Sequence, residues 1–141
     1  MSNHIRCRYT LNVLSELARV QGIPEVTDDQ IISWANKRVE RSEKGKRMKS
    51  FKDSSLKTSL FFLELIAAIE PRAVEWSNVQ DTQDCPLTAE KKMLNAKYCI
   101  SAARKIGACV FLTPEDIVEG NSKMILTFVA GLWMADLIRV M

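Results

Sequence analysis

Apolar residues recur at helical spacing along nearly the whole chain, and strict alternation of apolar and polar residues never lasts more than a few positions. Six helical segments follow from this pattern. The first runs from about Asn3 to Val20, with Ile5, Tyr9, Val13 and Leu17 on one face and Leu14 beside them; Gly22, Ile23 and Pro24 end it. The second opens on Thr27-Asp28-Asp29-Gln30, a capping box in which Thr27 and Gln30 satisfy each other's backbone donors. Its inner face is Ile31, Ala35 and Val39, flanked by Ile32 and Trp34. The third, Ser59 to Ile69, carries Leu60, Phe61, Phe62, Leu63, Leu65 and Ile66 and is apolar all round, which predicts a central helix stopped by Pro71.

The stretch from Asn95 to Asn121 holds the strongest local signals. Thr88 caps a helix in which Leu94, Tyr98, Ile100, Ala103 and Ile106 gather on one side, and Gly107 supplies the left-handed residue that ends it. After the apolar run Cys109 to Leu112, Thr113 places a capping hydroxyl before Pro114 at the first helical position, with Glu115 and Asp116 where the helix dipole favours carboxylates. A short helix therefore starts at Pro114. A last apolar helix, Met124 to Met141, follows a cap at Ser122 and includes Phe128. Asp136 and Arg139 interrupt it, so it reads as a buried core helix rather than a membrane span. Between the third and fourth helices, Trp76 and Val79 are expected to anchor a loop to the core, and Asp81 to Pro86 reads as a polar turn.

This succession resembles the calponin-homology domain, in the form found in fimbrins (plastins). The resemblance rests on Asn95-Ala96-Lys97-Tyr98, Ala103-Arg104-Lys105-Ile106-Gly107, Pro114-Glu115-Asp116-Ile117-Val118-Glu119 and Lys123-Met124. Upstream, Asp28, Ile31, Trp34, Asn36 and Val39 are similar to the first helix of that fold, and Ser50-Phe51-Lys52-Asp53 to the loop that follows it. The match runs from about Thr27 to Leu132. It implies an all-α calponin-homology fold: a compact bundle of about four main helices plus short ones, with an additional N-terminal helix. The expected core includes Trp34, Leu60, Leu63, Trp76, Tyr98, Ile117 and Phe128. Truncation of Trp34 or Trp76 to alanine would then cost about 3–5 kcal/mol.

Residues Tyr9 to Val20 resemble the helix leading into the fourth and last calponin-homology domain of a fimbrin. On that resemblance, residues 1–26 are a leading helix and linker from a preceding domain, and residues 27–141 are the domain itself. The chain is then a fragment of a longer protein, without the three preceding domains or the calcium-binding hands.

At 141 residues, with 47% hydrophobic residues and no internal repeat or low-complexity linker, the chain has the makings of one core. Cys7, Cys85, Cys99 and Cys109 form no CxxC pair, and Cys99 and Cys109 sit among apolar residues, the usage of buried, reduced thiols in a cytoplasmic protein. No enzyme, cofactor or metal site is expected. The single histidine, His4, excludes a multi-histidine metal site and a histidine-based triad by counting. The acidic run Asp81 to Asp84 lacks the glycine and terminal glutamate of a calcium loop, and Gly45, Gly107 and Gly120 do not have phosphate-loop spacing. Glu115, Asp116 and Glu119 have a sufficient structural cause at a helix start.

One charged feature rises above the mild net charge of +3. Lys37, Arg38, Arg41, Lys44, Lys46, Arg47, Lys49 and Lys52 run from the end of the second helix through a polar loop around Gly45, diluted by Glu40 and Glu43. The plain explanation is a solvated helix end, where cations suit the dipole; the functional one is electrostatic docking on an acidic surface. The family resemblance implies filamentous actin as the partner, contacted in tandem pairs through the first helix of the second domain. It assigns Lys37, Arg38, Arg41, Lys44, Lys46, Arg47 and Lys49 as candidate contacts.

Two other readings stand beside it: a domain that packs on a neighbouring calponin-homology domain of the same protein, and a basic helical domain that binds nucleic acid. The low charge and the lack of aromatic residues in the basic loop, Phe51 apart, speak against nucleic acid. No membrane partner is expected, and the isolated chain is expected to be a monomer that pellets weakly or not at all with filaments and does not bundle them.

Overall fold

Helix α3, Leu60–Ile69, is buried along most of its length, as a sequence apolar except at Glu64 requires. The computed structural model describes residues 13–40, 47–80 and 87–140; residues 3–12 of the predicted first helix, the turn at Asp81 to Pro86, and Arg41, Lys44 and Lys46 lie outside the described residues. Around α3 are α1 (residues 13–21), α2 (Asp28–Val39), α4 (Ala89–Lys105), α5 (Pro114–Glu119) and α6 (Ser122–Val140). Three short 3₁₀ turns, Ser54–Thr58, Pro71–Ala73 and Trp76–Asn78, join them. The described residues contain no strand.

α3 packs against α2 on one side and α4 on the other, α2 also packs against α6, and α5 packs against α4. Phe62 of α3 meets Phe61 and, from α6, Phe128 edge to face, with ring centres 6.0 and 5.5 Å apart. Leu60, Leu63, Ile117 and Phe128 are buried as expected, and Leu17 of α1 is fully buried in the same core. Trp34 is half-buried and lies parallel to Trp133 of α6, with centres 5.4 Å apart and planes 6° apart.

The helix starts follow the local code. Thr27 and Gln30 form the expected capping box, with the Thr27 N–H donating to Gln30 Oε1 at 2.8 Å. Thr113 and Asp116 form a second one, and Asp116 also accepts from Asn121 Nδ2. The Asp116 carboxylate is thus committed to structure. Thr88 caps α4, whose end passes into Gly107 at φ +91°. The cap of α6 is Asn121 rather than Ser122: its Oδ1 accepts the Met124 N–H and its carbonyl accepts the Ile125 N–H.

Three expectations fail on burial. Trp76 is 37% exposed, and its loop is tied to α4 by the Glu75 and Gln80 N–H groups, which donate to Tyr98 Oη and Asn95 Oδ1. Leu94 is 47% exposed: the inner face of α4 runs through Asn95, Ala96, Cys99, Ala102 and Ala103, and Leu94 falls one step outside it, while Tyr98 is half-buried and packs against the core as expected. Cys99 is buried, whereas Cys109 is exposed because the chain after Gly107 is extended and turns it outward.

Candidate functional site

The basic segment is built on the last two turns of α2. Ile31, Ala35 and Val39 face the core, which leaves Lys37 exposed and Arg38 half-exposed in the last turn, where cations complement the helix dipole. Arg38 is not free. Its Nε and Nη2 reach both carboxylate oxygens of Asp136 in α6 at 3.1 and 3.0 Å, a two-pronged ion pair that ties the end of α2 to the last helix. The adjacent Trp34–Trp133 stack makes the same α2–α6 connection.

Residues 47–53 lie against α2. Asn36 clamps Met48, donating from Nδ2 to the Met48 carbonyl at 2.8 Å and accepting the Met48 N–H on Oδ1 at 2.7 Å. Met48 and Phe51 are buried, so the described residues from 47 onward are anchored to the core; the rest of the predicted loop, residues 41–46, lies outside the described residues. Between these anchors Arg47, Lys49 and Lys52 point outward. Asp53 closes the turn: its carboxylate accepts from the Lys49 N–H and from the N–H and hydroxyl of Ser55. The Ser55 backbone N–H is the main reason its carboxyl is held below the usual carboxylate range.

Lys49 and Lys52 line a groove of about 390 Å³ shared with Asp28 and Asp29 of the first turn of α2, so their field is partly offset. Lys37 and Arg47 have no carboxylate partner among the described residues. Of the seven candidate contacts, then, Lys37, Arg47 and Lys49 are exposed, with Lys37 and Lys49 lining different hollows, and Arg38 is paired with Asp136. Asn36 and Asp136 escape a search for cations. A signal for Asp136 does exist, since a carboxylate within an apolar helix calls for a cation.

No group of three or more histidine, cysteine or acidic side chains able to hold a metal occurs among the described residues, and no described helix is long and apolar enough to cross a membrane. The site offers fixed positive charge on a rigid helix and the loop packed against it.

The described residues form an all-helical bundle with exposed cations at the end of α2. Residues 25–137 match the calponin homology (CH) domain, and the chain belongs to that family. It is 45% identical over 126 residues to Fimbrin-5 of Arabidopsis thaliana, covering 89% of this chain and 18% of the relative. With human Plastin-1 it shares 44% identity over 133 residues, 94% of this chain and 20% of the relative. The chain thus spans about a fifth of the length of these relatives. The crystal structure of the actin-crosslinking core of Schizosaccharomyces pombe fimbrin superposes with a TM-score of 0.75 at 31% identity, covering 89% of this chain and 25% of that one.

Proposed function

We propose that this chain is an actin-filament-binding module of a fimbrin-type cross-linking protein, acting as the second domain of a tandem pair and most like the fourth calponin-homology domain. On this reading residues 27–141 are the domain and residues 1–26 lead in from the domain before it. The observation that carries the proposal is the fit of 89% of the chain to the actin-crosslinking core of a fimbrin. The exposed cations of α2 and the loop packed against it, Lys37, Arg47 and Lys49, supply the charge that an acidic filament face recognises. Arg41, Lys44 and Lys46 lie in the same stretch of sequence and belong to the same proposal. The function is binding rather than catalysis, in the cytoplasm on the actin cytoskeleton.

A second reading is favoured by one observation. Arg38, in the last turn of α2, is spent on Asp136, which lowers the affinity expected of the domain alone. The domain then contributes mainly by packing on its neighbouring calponin-homology domain, and linkage to that neighbour raises the local concentration of a weak site. Co-sedimentation with filaments, of the chain alone and fused to its preceding domain, tests both. The first reading expects weak pelleting alone and strong pelleting when fused, reduced by Lys37→Glu and Arg47→Glu. Unchanged pelleting of the fused charge-reversed form would leave only the second.

A further inference from the structure

The α4 side of the domain, separated from α2 by α3, carries a groove that the α2 site does not explain. It lies between α4 and the extended residues 108–113, has a volume of about 410 Å³, and is floored by Ile100, Val110, Phe111 and Leu112. Lys97 and Arg104 of α4 stand at its edge. They are seven residues apart, two helical turns or about 10.5 Å, so both project from one face. Both are exposed, and neither makes an ion pair among the described residues.

Among the described grooves this combination is particular. The groove between α2 and α6 has Asp28 and Asp29 opposite its lysines, the hollow at the end of α2 contains Glu40 beside Lys37, and the apolar groove at Cys109 and Ile138 holds Glu16 and no cation. Among the described residues no carboxylate lines the α4 groove. Two unpaired cations over an apolar floor select a ligand that presents carboxylates on both sides of an apolar side chain.

We infer that this groove is a second docking surface, and that it takes an acidic protein segment: an apolar or aromatic side chain seated on Val110 and Phe111, with flanking carboxylates paired to Lys97 and Arg104. It is independent of the α2 surface and does not rest on the proposal that the latter binds filaments.

The test is a selection of random 12-residue peptides displayed on phage against the whole chain, followed by titration of the selected peptides as free synthetic molecules. Enriched peptides should combine two or more Asp or Glu residues with a central aliphatic or aromatic one. Their affinity should fall at least tenfold in Lys97→Glu/Arg104→Glu, whose exposed positions leave the melting temperature unchanged, and stay within twofold in Lys37→Glu/Arg47→Glu. Filament pelleting of the fused protein should be insensitive to Lys97→Glu/Arg104→Glu. The inference is overturned by selected peptides without acidic bias, by binding unaffected by reversal at Lys97 and Arg104, or by loss of filament pelleting in that variant. It is equally overturned if mixed-sequence single-stranded RNA occupies the surface in place of the peptides.

Discussion

Asn95 holds Gln80 by both sides of its amide: Oδ1 accepts the Gln80 N–H at 2.8 Å and Nδ2 donates to the Gln80 carbonyl at 2.9 Å. The same Nδ2 donates to the Thr58 carbonyl at 3.1 Å, so one fully buried side chain of α4 fastens the loop after Trp76 to the turn before α3. Asn95→Leu keeps the size and removes every one of these bonds. It leaves part-buried backbone groups of Thr58 and Gln80 unpaired, at about 1–3 kcal/mol each. Urea denaturation should show a loss of about 3 kcal/mol or more, and a loss below about 1 kcal/mol would mean that the loop finds other partners.

Ser59 carries the one positive φ, +66°, found outside glycine among the described residues. It ends the 3₁₀ turn and starts α3 at once, and its buried hydroxyl has no hydrogen-bond partner among those residues. Ser59→Gly relieves the left-handed strain, about 1–2 kcal/mol, and the unpaired hydroxyl, against about 0.5–1 kcal/mol of extra entropy in the unfolded chain. The variant should be more stable by about 1 kcal/mol, read as a higher denaturation midpoint at unchanged slope.

The two tryptophans expected in the core should part company. Trp34 stacks on Trp133 and is half-buried, so Trp34→Ala should cost about 2–3 kcal/mol. Trp76, more than a third exposed, should cost under about 1 kcal/mol. Equal losses on thermal melting would restore the indole of Trp76 as the anchor of its loop.

Features governed by neighbours in sequence were legible, and those governed by distant pairing were not. The capping boxes at Thr27 and Thr113, the left-handed Gly107 and the buried α3 depend on a few adjacent residues, and they appear where the pattern puts them. The Arg38–Asp136 pair spans 98 positions, and the Asn95–Thr58 bond 37; helical periodicity carries no information about either. Leu94 shows the limit within a helix: an apolar residue one step off the inner stripe looks the same in a pattern and ends up exposed. The basic candidate surface was legible as charge, but its rigidity comes from Met48 and Asn36, an apolar and an amide residue that a search for cations passes over.

Acid should weaken the fold through Asp53 and Glu70. Hydrogen bonds from the Ser55 backbone hold the Asp53 carboxyl below the usual range; the Arg72 backbone N–H, then the Arg72 side chain, do the same for Glu70, with Arg139 adding to it. A carboxyl depressed in the folded state stabilises fully above its ordinary pKa, about 4, and that stability disappears as pH falls through the depressed value. Denaturation midpoints should therefore be level near neutrality and decline below about pH 4. Asp53→Asn should flatten the decline, and an acid limb identical to the parent's would remove Asp53 from it.

Arg38 and Lys37 are adjacent in sequence and should separate stability from binding. Arg38→Ala leaves the mostly buried Asp136 carboxylate without its cation, and a double-mutant cycle with Asp136→Ala should give a coupling of about 1–2 kcal/mol, above that of an exposed pair. Lys37 makes no ion pair among the described residues, so Lys37→Glu should leave the melting temperature within about a degree, as surface substitutions usually do. In the protein fused to its preceding domain, Lys37→Glu with Arg47→Glu should weaken filament pelleting at full stability. Arg38→Glu should instead lower the melting point first, because it places a like charge against Asp136. If Arg38→Glu abolishes pelleting while melting like the parent, the guanidinium leaves Asp136 for the partner, and the ion pair is a resting contact rather than a structural tie.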